Sequence, residues 1–164
     1  MTTETVSASL MRPLLAFTLA LVAAQAALYG IGQAFPDYDM PSSFGLVITM
    51  VAAMTGGQSF AKATGRTFSG GEKLRFSLAG VAISFALSVA TFAGIFAWYG
   101  VPFSTDMVAL VTTGDPAMAV QLKPWLPVIF GIGLLIGWGM IHFGAGVGAK
   151  GMLKRMAKDA AKNG

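Results

Sequence analysis

Four long apolar segments constrain the fold of this chain more than any other feature of its sequence. They lie at about residues 13–35, 44–61, 70–99 and 125–149. A helix rises about 1.5 Å per residue, so about 20 apolar residues are enough to cross the roughly 30 Å hydrocarbon layer of a bilayer. The sequence therefore predicts an all-α polytopic membrane protein with four transmembrane helices.

The composition agrees with this assignment and excludes several kinds of site. Of the 164 residues, 55% are hydrophobic and only 11% are charged, which leaves too little polar surface for a soluble domain. The chain has no cysteine, so thiolate metal sites and thiol nucleophiles are excluded. Its one histidine, His142, excludes a multi-histidine metal site within one chain. We expect no catalytic set, no metal and no cofactor.

The first apolar segment also has the three regions of a secretory signal peptide. Arg12 precedes it, and the Ala-Gln-Ala triplet at 24–26 imitates a cleavage site. The apolar character nevertheless continues through Leu28 and Ile31, well past that point. A membrane span is therefore the favoured interpretation.

The basic residues predict the orientation of the chain. Ten of the eleven lie before the first segment, between the second and third, or after the fourth. They are Arg12, Lys62, Arg66, Lys73, Arg75, Lys150, Lys154, Arg155, Lys158 and Lys162. Lys123 lies on the other side with four of the seven acids, and Trp98, Tyr99 and Trp125 fall at that boundary. Because Lys and Arg mark the cytoplasmic side, both termini are predicted to be cytoplasmic, in a bacterial inner membrane.

The net charge of +4 is expected to favour binding to lipid rather than to nucleic acid. The basic residues stand beside apolar segments and do not alternate with exposed aromatic residues, so anionic lipid headgroups are the expected partners. Residues 151–162 place Met152 and Met156 on one helical face and Lys154 and Lys158 on the other. They predict an interfacial helix, with a solvated tail as the alternative.

The remaining segments complete a single membrane domain over residues 1–164. Between Gly100 and Pro124 the chain is half apolar, and Pro116 suits the first position of a helix. One or two short helices on the outer surface are expected there, with Pro124 as a stop.

Helix packing in lipid needs small residues that let backbones approach closely. The fourth segment is the richest in them, and pairs at four-residue spacing are Gly133 with Gly137 and Gly144 with Gly148. We expect this helix to be the most closely packed. The glycines are expected either to pack against other helices of the same chain, which is favoured, or to form the contact of a homodimer.

His142 lies on the cytoplasmic half of the fourth segment, among glycines. An imidazole there can bind the metal of a tetrapyrrole. The favoured interpretation is a hydrogen bond to Gln25, Gln58 or a serine of a neighbouring helix.

The loop between the second and third segments contains the most specific pattern. Ser69-x-x-Glu72 before an apolar run predicts a capping box at a helix start. Arg66 and Glu72 are expected to pair across the loop, and Gln58 is expected to cap the second helix. The Lys and Arg cluster of this loop is a predicted orientation signal and lipid-phosphate clamp, and it consists of Lys62, Arg66, Lys73 and Arg75. A docking surface for a cytoplasmic or membrane partner, which would include Gln58 and Glu72, is the alternative to a structural turn.

Residues 42–77 also resemble an uncharacterised family of short bacterial inner-membrane proteins. In that family the second helix ends in Gly-Gln-x-Phe, and basic residues, Gly-Arg and Pro/Ser-x-x-Glu follow. The matching positions are Gly57, Gln58, Phe60, Lys62, Gly65, Arg66, Ser69 and Glu72. The resemblance covers about a quarter of the chain. It implies a fold of four transmembrane helices and no particular activity.

The leading functional hypothesis is a non-enzymatic accessory or interaction subunit of a membrane complex or homo-oligomer. The alternative is a small oligomeric transporter or channel for a neutral or weakly polar solute, bordered by Gln25, Thr49, Gln58 or His142. No acidic or basic residue lies deep in a span, which disfavours an ion-coupled carrier. An enzyme is the least favoured, because a lone histidine supplies no evident acid-base pair.

Overall fold

The computed structural model describes residues 8–35, 37 and 44–163, and this part of the chain is helical, with no strand. The α-helices are α1 (Met11–Ala34), α2 (Phe44–Thr64), α3 (Gly70–Trp98), α4 (Thr105–Thr113), α5 (Pro116–Leu122) and α6 (Leu126–Asn163), with a 3-10 turn at Lys123–Trp125. α5, the 3-10 turn and α6 follow one another without a break. The helices long and apolar enough to cross a membrane are α1, α2, α3 and the run Pro116–Lys162, called here the fourth apolar helix. The predicted all-α polytopic fold is confirmed.

The observed helix ends refine the predicted spans. α1 and α3 agree with prediction to within two residues, whereas α2 continues past residue 61 to Thr64. It ends because Gly65 takes a positive φ of 67°, which glycine adopts without a steric penalty, and the Gly65 N–H donates to the Ala61 carbonyl at 2.8 Å.

The tail is helical but is not a separate helix. α6 continues from Leu126 to Asn163, and Gly151 does not interrupt it. A glycine inside a helix costs about 1 kcal/mol relative to alanine, which strong helix formers such as Leu153 and Lys154 offset. A separate helix over residues 151–162 is therefore not observed, while the end of the membrane span at about residue 149 and the interfacial position of the tail stay predictions.

The chain divides into two compact units, and α3 and α6 contribute residues to both. The larger unit contains Met1–Ser84 and Gly137–Gly164, and the smaller unit contains Phe85–Ile136. The single domain over residues 1–164 stays a prediction.

The smaller unit confirms the two short helices expected there. Ser104 accepts a hydrogen bond from the Met107 N–H at 3.3 Å to begin α4, and Asp115 accepts one from Ala117 at 2.8 Å to begin α5 at Pro116. Pro124 is not the predicted stop. It lies inside the 3-10 turn that leads into α6, where proline is tolerated near a helix start.

In the larger unit, α2 rather than the fourth helix is the most buried. Within the chain, 33% of the most apolar stretch of α2 is buried, against 11% for α1, 6% for α3 and 11% for the fourth apolar helix. Small residues of α2 account for this, because Ala52, Ala53, Gly56, Gly57 and Ala61 are all buried. The expectation that the fourth helix is the most closely packed is wrong, since glycine only permits close contact and a neighbouring helix must supply it.

Candidate functional site

The carboxylate of Glu72 joins three parts of the larger unit. Arg66 donates to both of its oxygens, from Nη2 to Oε1 at 2.7 Å and from Nη1 to Oε2 at 2.8 Å. The backbone N–H groups of Ser69 and Ala8 donate to it at 2.9 and 3.2 Å. Ala8, Arg66, Ser69 and Glu72 are called here the Glu72 junction. It fixes the segment before α1, the α2–α3 loop and the start of α3 to one another.

The junction confirms two predictions from the sequence. The Glu72 N–H donates to Ser69 Oγ at 3.4 Å, which completes the reciprocal capping box. The expected Arg66–Glu72 pair forms with both guanidinium nitrogens, the geometry that best matches a carboxylate. The Glu72 carboxylate raises the pKa of the Arg66 guanidinium above its ordinary value, first through the hydrogen bond and then through its charge.

A row of phenylalanine rings lies beneath the loop. Phe60 stacks on Phe68 with centroids 3.9 Å apart, Phe68 lies 5.3 Å from Phe76, and Phe76 meets Phe17 edge-on at 6.0 Å. The Arg66 guanidinium lies 5.3 Å from the centroid of the Phe60 ring. Phe17, Phe60 and Phe76 are fully buried, so the loop covers an apolar core built from α1, α2 and α3.

The other residues that were predicted to act in the loop do not belong to the Glu72 junction. Gln58 lies inside α2, six residues before its end, and the predicted cap is wrong because Gly65 and the Thr64 hydroxyl occupy that role. Lys62 and Arg75 are exposed. Their role as a lipid-phosphate clamp stays a prediction.

The predicted packing glycines Gly133, Gly137, Gly144 and Gly148, called here the glycine face, behave as two pairs. A Cβ on Gly148 would overlap the Met54 carbonyl of α2, and one on Gly144 would lie 2.8 Å from the Met50 carbonyl oxygen. A Cβ on Gly133 or Gly137 would meet no atom of the described residues within 4 Å. Intrachain packing is thus observed for the second pair only.

Within the larger unit, Gly137 differs from the second pair because α2 begins too late to cover it. Met50 lies against Gly144 and Met54 against Gly148, so α2 and α6 run parallel in a fixed alignment. Gly137 lies seven positions before Gly144 on α6, whereas Met50 lies only six positions after Phe44, where α2 begins. The start of α2 therefore leaves Gly137 uncovered by this helix.

His142 forms a hydrogen bond with a serine of α3, which was one of the partners predicted from the sequence. Its Nδ1 lies 3.2 Å from the Ser77 hydroxyl, which also donates to the Lys73 carbonyl at 2.7 Å. Which of the two groups donates depends on the tautomer of the imidazole. The Trp138 ring lies 5.3 Å away, centroid to centroid. This bond links α3 to α6 in the larger unit.

Sequence reasoning missed three features of this region. Ala8 was not recognised as a donor to Glu72, because residues 64 positions apart share no local pattern. The position of Lys73 against Gly146 of α6 was also missed. The third feature is the stripe Ala53, Gly57 and Ala61 on α2. Its four-residue spacing was available in the sequence and would have identified the helix that packs on α6.

These observations define the class: an all-α membrane protein with helices that pack closely around a capped loop. No family model, curated protein or solved structure matches the chain. The family resemblance of residues 42–77 therefore stays a prediction.

Proposed function

We propose that this chain is a small non-enzymatic accessory protein of the bacterial inner membrane that packs against a second copy or a larger membrane complex. The observation that carries the proposal is the low burial of the apolar helices. In every one of them except α2, only about a tenth or less of the most apolar stretch is buried within the chain. Lipid or another protein must cover the rest of this surface. Glu72 and His142, the side chains best suited to acid-base chemistry in the larger unit, are both engaged in structural hydrogen bonds.

The first half of the glycine face is the proposed contact. In the sequence, Gly133 and Gly137 have the four-residue spacing that is typical of helix contacts, as Gly144 and Gly148 do. α2 covers only the second pair, and the first pair has open space among the described residues. Association of helices in lipid depends on such small residues, because apolar side chains gain little by leaving lipid for protein.

Leucine at both Gly133 and Gly137 is expected to abolish the association and to leave the chain folded. The bulky side chains keep a partner helix away, while no described neighbour is displaced. Native mass spectrometry of the full chain in mild detergent measures the loss of dimer or of a stoichiometric partner. Gly139→Leu is the matched control, because Gly139 also has open space but lies about 160° around the helix from Gly137. A partner retained by the double variant, or a wild type without partners, contradicts the proposal.

Cytoplasmic termini are part of the proposal. Its support is that the basic residues of the α2–α3 loop and those of residues 150–162 belong to one compact unit. A reporter that is active only in the cytoplasm, fused after Gly164, is therefore expected to give signal. Activity of a periplasm-specific reporter at the same position, with silence of the first, would refute the orientation.

A small transporter or channel is the second candidate, favoured by one observation. Ser84 Oγ and Trp138 Nε1, both in the larger unit, are buried without a hydrogen-bond partner among the described residues. A buried unsatisfied polar group costs about 1–3 kcal/mol, and such groups often serve a function. Flux of a neutral solute into liposomes that contain the protein separates this function from the accessory one.

A further inference from the structure

Lys73, the fourth residue of α3, places its side chain against α6. Its Nζ and Cε lie 3.1 and 3.3 Å from the position that a Cβ on Gly146 would take. Lys73 is partly buried there. The Ser77 hydroxyl, one turn further along α3, holds the two helices together through His142. The ammonium therefore lies in a space that exists because residue 146 has no side chain.

The charge of Lys73 is not balanced by a described acidic residue. The ion pairs of the described part of the chain are Arg66–Glu72 and Lys123–Asp106, and neither involves Lys73. A second ammonium lies nearby, because Lys150 follows Gly146 by four residues on the same face of α6 and is exposed. Two positive charges thus lie on either side of a bare backbone position.

The opposite wall of this site is open. α3 and α6 run antiparallel here, since Ser77 meets His142 and Gly80 meets Ile141. Eight residues beyond His142, Lys150 is level with the first residues of α3, which are Gly70 and Gly71. A Cβ on either glycine would meet no described atom within 4 Å. The start of α3 beside the site therefore has no side chain at these two positions that would exclude a bulky headgroup.

The surroundings identify the class of ligand. Lys150 directly follows the apolar part of α6, which is where a basic side chain typically meets the phosphates of a lipid bilayer. Beside the site on α6, Phe143 is 61% exposed and Val147 is 37% exposed, and they offer an apolar surface to an acyl chain. A free phosphate ion would bind the lysines only, whereas a phospholipid would bind the lysines through its phosphate and the apolar surface through an acyl chain.

We infer that Lys73 and Lys150 hold the phosphate of an anionic phospholipid over Gly146. The site lies about 180° around α6 from Gly137, so it is separate from the proposed association through the glycine face. The phospholipid site and the association through the glycine face can therefore be tested independently of each other.

Native mass spectrometry tests the site on the full chain in mild detergent, titrated with phosphatidylglycerol or with phosphatidylcholine. Lys73→Gln and Lys150→Gln are each expected to weaken phosphatidylglycerol binding about fivefold, from about 1 kcal/mol per ammonium near an anionic headgroup. Lys123→Gln and Lys158→Gln remove the same charge from exposed positions elsewhere and are the matched controls. They are expected to weaken binding less than twofold, and phosphatidylcholine binding is expected to stay the same in all four variants.

Gly146→Val keeps every charge and displaces the Lys73 ammonium, so it is also expected to weaken phosphatidylglycerol binding, with helicity checked by circular dichroism. Equal weakening by all four lysine variants would mean a diffuse surface charge and would overturn the inference. Unchanged binding in Gly146→Val would overturn it as well. A third contrary result is binding of inorganic phosphate alone with the same dependence on Lys73, since it would identify a free anion as the ligand.

Discussion

Gly148→Leu is expected to destabilise the protein by about 3 kcal/mol or more, the largest effect of any single substitution proposed for this chain. A Cβ at this position would overlap the Met54 carbonyl and lie 2.7 Å from the Met54 carbonyl carbon and Cα. These are backbone atoms inside α2, which a rotamer change cannot move. The whole of α2 must shift away from α6, and the contacts at Gly57 and Gly144 are lost with it. Unfolding by sodium dodecyl sulfate in mild detergent, followed by circular dichroism, measures the loss.

Gly151→Leu is the control, and its expected effect has the opposite sign. Gly151 belongs to the same helix, one turn away, and a Cβ there would meet no described atom within 4 Å. Replacing a helical glycine with a strong helix former stabilises by about 1 kcal/mol when nothing is displaced. If Gly148→Leu were as stable as Gly151→Leu, the close crossing of α2 and α6 would be refuted.

Glu72→Ala is expected to destabilise the larger unit by about 2 kcal/mol and more than Arg66→Ala does. The alanine removes the acceptor of four hydrogen bonds and leaves the Ser69 and Ala8 N–H groups without it. Arg66→Ala removes the two guanidinium bonds to Glu72 and a third to the Thr67 carbonyl, but it keeps the carboxylate that the Ser69 and Ala8 N–H groups need. Because the Arg66 side chain is 45% exposed, water replaces much of what that pair supplies.

Chemical denaturation of both variants in mild detergent gives the comparison, and the double variant Arg66→Ala, Glu72→Ala completes the cycle. A double variant no less stable than Glu72→Ala alone is expected, because the arginine has no role in the junction without its carboxylate. Equal destabilisation by the two single variants would mean that the ion pair alone holds the loop. Glu72 would then have no role as a junction of three segments.

Features that depend on neighbours in sequence were predictable. Hydropathy over about 20 residues located the helices, since lipid thickness and helix rise fix the length required. The Ser69–Glu72 capping box and the start of α5 at Pro116 were predictable for the same reason, because each bond spans only two or three residues. The Arg66–Glu72 pair spans six residues across one short loop, and it too was predicted.

Features that depend on which helices meet were not predictable from one sequence. The four glycines of the glycine face are equivalent as a pattern, and only the structure shows that α2 packs on Gly144 and Gly148. His142 had three predicted partners, and the antiparallel alignment of α3 with α6 selected Ser77. The Gln58 cap failed for a local reason, because Gly65 offered a stronger end to α2 seven residues later.

The continuity of α6 has a mechanical consequence. Residues 150–162 continue the helix without a break from Gly144 and Gly148, where α6 lies directly against the backbone of α2. A force applied to this basic end is therefore transmitted along the helix to the crossing of α2 and α6.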